Sequence, residues 1–121
     1  MGLYNRVDLA LDPFPYNGTT TTCDALWMGV PVVTLAGRTH VARVGASLVS
    51  HLGYPGWSVE SPEAYVAKCA ELAGDLPALA RLRLELRERM RQSPLCDAAQ
   101  FIANLEAAYR DMWRRWCAGG V

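Results

Sequence analysis

Apolar positions recur along the chain in two rhythms. Residues 7–12 are a short apolar run closed at once by turn residues, which fits a buried parallel strand. Val32, Val33, Thr34 and Leu35 form a second, β-branched run, and Trp57, Ser58 and Val59 read as a short third strand. Helical spacing fills the rest. One helix starts at Thr19 or Thr20, either of which can be its N-cap, and passes through Asp24, Ala25, Leu26 and Trp27. It stops at Gly29, a natural residue for the position after a helix end, and Pro31 blocks continuation. In the next, Val41, Val44, Leu48 and Val49 share a side up to Gly53, with Gly45 and Ala46 between them. Ser61-Pro62-Glu63 is a strong start for a helix carrying Tyr65, Val66, Cys69, Ala70 and Leu72. Asp75 caps a fourth, with Leu76, Leu79, Leu82 and Leu86, that ends before Ser93-Pro94. The last starts near Asp97, lines Phe101, Leu105, Ala108, Tyr109, Met112, Trp113 and Trp116 along one face, and ends at Gly119-Gly120.

The order β-α-β-α-β-α-α-α predicts an α/β fold: a parallel sheet with helical crossovers. Three short strands make only part of a doubly wound nucleotide-binding domain, which normally has two such halves. The expectation is one partial Rossmann-like domain over residues 1–121, with a helical tail over about 62–118.

Composition narrows the partners. With 51% apolar and 20% charged residues the chain is globular in character. The formal net charge of zero argues against nucleic acid as the main partner. Arginines cluster at residues 81–91 and 110–115, but Glu85, Glu88, Glu106 and Asp111 interleave with them, as on solvated helix faces. No apolar run approaches the roughly 18 residues that span a membrane. Residues 1–6 carry no signal-peptide core, and Arg6 stands where a myristoylation motif needs Ser or Thr. Cys23, Cys69, Cys96 and Cys117 are unevenly spaced and form no metal pattern with His40 or His51, so they read as reduced thiols of a cytoplasmic protein.

The candidate chemistry lies between the first strand and the first helix. Pro13 and Pro15 hold the path extended, and Asn17-Gly18 supplies a turn. The amides that open the helix lack intrahelical acceptors and carry the positive end of the helix dipole, so a phosphate fits there without a basic side chain. Gly18 permits close approach, and Thr19, Thr20 and Thr21 bring hydroxyls. Asp24, one turn deeper on the same side, is placed to accept from a ribose diol. Two readings stay open on the residues alone: a diphosphate site, or threonines that merely cap a helix. The stretch is neither a P-loop nor G-x-G-x-x-G.

Residues 17–34, Asn-Gly-Thr-Thr-Thr-Thr-Cys-Asp-Ala-Leu-Trp-Met-Gly-Val-Pro-Val-Val-Thr, resemble the catalytic-domain signature of the protein O-GlcNAc transferase / SPINDLY family. So do residues 37–47, Gly-Arg-Thr-His-Val-Ala-Arg-Val-Gly-Ala-Ser, and the tail, Ser93-Pro94-Leu95-Cys96 followed by residues 105–113. The resemblance covers nearly the whole chain in order. It implies a glycosyltransferase of two Rossmann-like domains (GT-B), with this chain ending the carboxyl-terminal, donor-holding lobe. It also implies sugar transfer to Ser or Thr hydroxyls of proteins, with an amino-terminal lobe and tetratricopeptide repeats upstream. The chain by itself is then expected to be inactive. The family's diphosphate-binding threonines match Thr20 and Thr21, and its ribose-binding acid matches Asp24. Where the O-GlcNAc branch has His, this chain has Thr19, closer to the SPINDLY branch, which uses GDP-fucose. The donor is thus open between UDP-GlcNAc and GDP-fucose. The base-reading residues and the family's phosphate-binding lysine lie upstream and match nothing here. No cofactor, metal or catalytic residue is implied within the chain; the nucleotide sugar is a substrate.

His40 and Arg43 sit after the second strand, at the end of the sheet where ligands gather, and are further substrate-binding candidates beside the plainer reading of a surface loop. Trp113, Trp116, Tyr109 and Met112 read first as core packing at helical spacing, and second as a partner-binding stripe that would favour self-association if left exposed. The second reading belongs to a rival for the whole chain, a non-catalytic Rossmann-like interaction module.

Overall fold

The computed structural model describes residues 2–119. Met1, Gly120 and Val121, which the expected domain range includes, lie outside the described residues, so the stop at Gly119-Gly120 is seen only at Gly119, whose φ is +76°. Three strands, β1 (Ala10–Leu11), β2 (Val32–Leu35) and β3 (Ser58–Val59), form a parallel sheet in the order β1-β2-β3. Ala10 pairs with Val32 and Thr34 with Ser58. Among the described residues five α-helices accompany them: α1 (Thr20–Trp27), α2 (Val44–His51), α3 (Pro62–Ala73), α4 (Leu76–Gln92) and α5 (Ala98–Cys117). This is the α/β arrangement that the alternation of elements predicts.

The boundaries shift for local reasons. The apolar run at residues 7–12 yields only two paired residues, because Val7 closes a turn onto Tyr4 and pairing starts with the Ala10 amide on the Pro31 carbonyl. Trp57 is not in a strand: it ends a 3₁₀ turn over Pro55–Trp57, stacks on Tyr54 at 4.0 Å between ring centroids, and is buried. Likewise His40–Ala42 forms a 3₁₀ turn, and the regular helix begins only at Val44.

The central strand β2 is buried at Val32, Val33 and Thr34, as a strand covered on both faces must be. Leu26 of α1, Val49 of α2 and Leu86 of α4 are the large side chains that pack around it. Gly29 ends α1 at φ +80°, and a side chain there would run into the Arg83 backbone of α4. The glycine therefore serves the left-handed turn and the close approach of two helices at once. Ser61, Asp75 and Asp97 each cap their helix through the side chain, accepting from the Ala64, Ala78 and Gln100 amides.

Helix α5 departs from the rest. None of its residues is buried, and Phe101, Tyr109, Met112, Trp113 and Trp116 are all more than half exposed. Core packing, the first expectation for this stripe, is not met among the described residues: α5 touches the body chiefly through the turn at Pro94–Cys96. The interleaved charges do lie on solvated faces, paired along their own helices as Glu85–Arg89, Glu88–Arg91, Glu106–Arg110 and Asp111–Arg115. No helix among the described residues is long and apolar enough to cross a membrane.

Candidate functional site

The candidate residues sit on two loops that leave the carboxyl ends of β1 and β2. The first runs from Asp12 to Thr19 and enters α1; the second runs from Ala36 to Arg43 and enters α2. They are laced together. The Asn17 amide donates to the Val41 carbonyl at 2.9 Å. The Asn17 side chain, 1% exposed, accepts from the Gly45 amide at 3.2 Å and donates to the Pro13 carbonyl at 3.1 Å.

Asp12 holds the same loop from below. Its Oδ1 accepts the Gly18 amide at 2.7 Å, and its Oδ2 accepts the Thr34 hydroxyl of β2 at 2.7 Å. Thr34 is fully buried and Asp12 is 2% exposed. Gly45 opens the space for this cluster, since a methyl group there would fall well inside contact distance of the Asp12 carboxylate and the Thr34 side chain. Asp12, Asn17 as a side chain, Thr34 and Gly45 were not singled out as site residues from the sequence. The signal for them is weak: a carboxylate and an amide flanking two prolines, and a small residue on an apolar helix face.

Above this buried layer the threonines face outward. Thr19 stands before the first residue of α1 but makes no side-chain capping bond, and Thr19, Thr20 and Thr21 are exposed while Thr22 is buried. The plain N-cap reading therefore does not describe Thr19. A Cβ built on Gly18 would lie 2.5 Å from Thr21 Oγ1, so the turn and the first helical hydroxyls are close-packed. Thr21 borders a small depression of about 130 Å3 with Tyr4, Pro13 and Ala25. Asp24 is half-buried, and its carboxylate has no hydrogen bond or ion pair among the described residues. Its charge, after burial, helps push the neighbouring Cys23 thiol up.

His40 and Arg43 are exposed and line a separate depression of about 260 Å3 with Ser47 and Leu48. Arg43 Nη1 donates to the Gly37 carbonyl at 3.1 Å, the local pairing expected of a loop arginine. The two depressions share no residue; the Asn17–Val41 contact joins the loops, not the cavities. A larger hollow of about 540 Å3, between His51 and the start of α5, contains none of the candidates.

A protein-family model described as glycosyl transferase family 41 matches residues 5–105. The chain is 50% identical over its whole length to the "Probable UDP-N-acetylglucosamine–peptide N-acetylglucosaminyltransferase SPINDLY" of Petunia hybrida, of which it spans 13%. It is 40% identical over 114 residues to the SEC protein of the same enzymatic name in Arabidopsis thaliana, covering 93% of this chain and 12% of that protein. Among solved structures, a mutant O-GlcNAc transferase of Thermobaculum terrenum superposes with a TM-score of 0.88 at 44% identity, covering 98% of this chain and 23% of that one. The fold, the order of motifs and these matches agree: the chain belongs to glycosyl transferase family 41.

Proposed function

We propose that this chain is the donor-binding part of a protein O-glycosyltransferase. The observation that carries the reading is the layering of the first loop. Buried Asp12 and Asn17 satisfy its inward polar groups, which leaves the exposed Thr19, Thr20 and Thr21 and the amides opening α1 turned outward at the carboxyl end of a parallel strand. Thr20 and Thr21 hold the donor diphosphate, Gly18 lets it approach, and Asp24 accepts from the ribose. His40 and Arg43, on the adjacent loop, extend the polar rim. Both depressions fall below the roughly 300–1,000 Å3 of ligand-sized clefts, so the donor rests here on an open shelf that the remainder of the enzyme covers.

In the reaction the bond between the sugar anomeric carbon and the diphosphate oxygen breaks. An acceptor Ser or Thr oxygen bonds to that carbon and gives up its proton to a base outside this chain, and the nucleoside diphosphate leaves with the electron pair. Amides and hydroxyls aimed at the diphosphate stabilise the charge that builds on it. The chain spans 13% of its SPINDLY relative, so the acceptor site, any general base and upstream tetratricopeptide repeats are assigned to the rest of a longer cytoplasmic protein. The relatives carry UDP-N-acetylglucosamine in their names, which makes UDP-GlcNAc the first donor to test and GDP-fucose, from Thr19, the second.

In the full-length protein, Asp24→Ala is expected to weaken donor binding about tenfold, the scale of one hydrogen bond to a charged group. Thr20→Val with Thr21→Val is expected to slow transfer. Unchanged donor affinity by calorimetry in the first, or full activity in the second, rejects the corresponding assignment. The exposed apolar face of α5 favours a second reading, a non-catalytic interaction module; glycosyl transfer lost in these site variants of the full-length protein rejects it.

A further inference from the structure

We propose that Asp12, acting with Thr34, is a positioning residue for the donor turn, distinct from the side chains that touch the donor. The inference rests on the reading of residues 18–24 as that turn. Every polar group of Asp12 is engaged, and together the bonds tie it to β2, to α3 and to the turn before α1. Its amide donates to the Val33 carbonyl at 3.0 Å, its carbonyl accepts the Tyr65 hydroxyl of α3 at 3.1 Å, and its carboxylate joins Thr34 to Gly18. Three of these partners belong to the rigid sheet and its covering helix. The fourth, the Gly18 amide, is the peptide immediately before the threonines.

Stability alone is a poor account of this arrangement. A buried carboxylate is costly to desolvate, and apolar groups of the same shape often serve a core as well or better. What a hydrogen-bonding side chain adds is direction: a short bond from a fixed acceptor sets the plane of the peptide it holds. Glycine is the residue whose backbone would otherwise wander most. With its N–H committed inward, Gly18 presents Thr19 and the opening turn of α1 in one orientation. The buried Thr34 hydroxyl holds the other carboxylate oxygen, so the brace is set by β2, and the empty space at Gly45 is what lets α2 pass over it.

The test measures UDP and GDP binding by calorimetry to the full-length protein and to Thr34→Val, Asp12→Asn and Asp12→Ala. Thr34→Val keeps the shape but frees the carboxylate, and affinity is expected to fall about tenfold with the circular-dichroism spectrum unchanged. Asp12→Asn retains an acceptor for Gly18 and gains a donor for the Thr34 oxygen, so its affinity is expected to stay within about threefold of the parent. Asp12→Ala, where it folds, loses the most. A folded Thr34→Val with parental affinity, or Asp12→Asn as weak as Asp12→Ala, overturns the proposal. A parent protein that binds neither nucleotide overturns the site reading beneath it, and that result is distinct from either of the others.

Discussion

Helices α1 and α5 are both amphipathic in sequence, and they meet opposite fates. Helix α1 has eight residues, of which Thr22, Ala25 and Leu26 are buried against the sheet and α4. Helix α5 has twenty residues and buries none, although its aromatic stripe is the more pronounced. The short helix is held by tertiary packing, since eight residues are too few to be helical on local interactions. The long one stands on local terms: the Asp97 cap, and the Glu106–Arg110 and Asp111–Arg115 pairs with the acid towards the amino end. Periodicity thus reports that a face asks for cover, and not what covers it.

The sharpest way to break the contrast is to remove packing where it exists. Leu86→Ala, at a fully buried position beneath α1, is expected to cost about 2–5 kcal/mol in urea unfolding. Gly45→Ala comes next. Alanine gains up to about 1 kcal/mol of helix propensity, but its methyl meets a strand side chain and a braced carboxylate, and overpacking costs about 1–3 kcal/mol. A net loss of stability is expected, and a gain would contradict the close approach described for α2.

Tyr65 offers a pH-dependent probe of the same region. Burial, then Cys69 and Asp12, push its phenol from the ordinary 10.0 up to about 12. Because the folded state holds this proton more tightly, the contribution is whole below pH 10 and is lost as pH rises from 10.0 to about 12. Ionisation also removes the donor that binds the Asp12 carbonyl. Tyr65→Phe is expected to flatten the decline in melting temperature across that window; an identical decline in the variant contradicts the assignment. The smallest effect belongs to α5, where Trp113→Ala with Trp116→Ala is expected to change the stability of this chain by no more than about 0.5 kcal/mol, because neither side chain is buried.

What could be read from the sequence follows the same division. Helices α3, α4 and α5 are legible from Ser61-Pro62, Asp75 and Asp97; the Ser61 and Asp75 caps form as expected, and Asp97, where the last helix is expected to start, caps it as well. The strand β2 is legible from its β-branched run. The length of β1 is not, because pairing depends on where β2 lies alongside it. The outward threonines are legible as a helix start rich in hydroxyls. The layer beneath them is not: Asp12 and Thr34 are 22 residues apart, and Asn17 and Gly45 are 28 apart, so only the fold brings them together.

The most direct measurement of the central claim is hydrogen exchange of the full-length protein with and without UDP or GDP. Protection is expected in peptides covering residues 17–27, with residues 98–117 unchanged by the nucleotide. Binding that leaves residues 17–27 unprotected would contradict the assignment of the donor diphosphate to this turn.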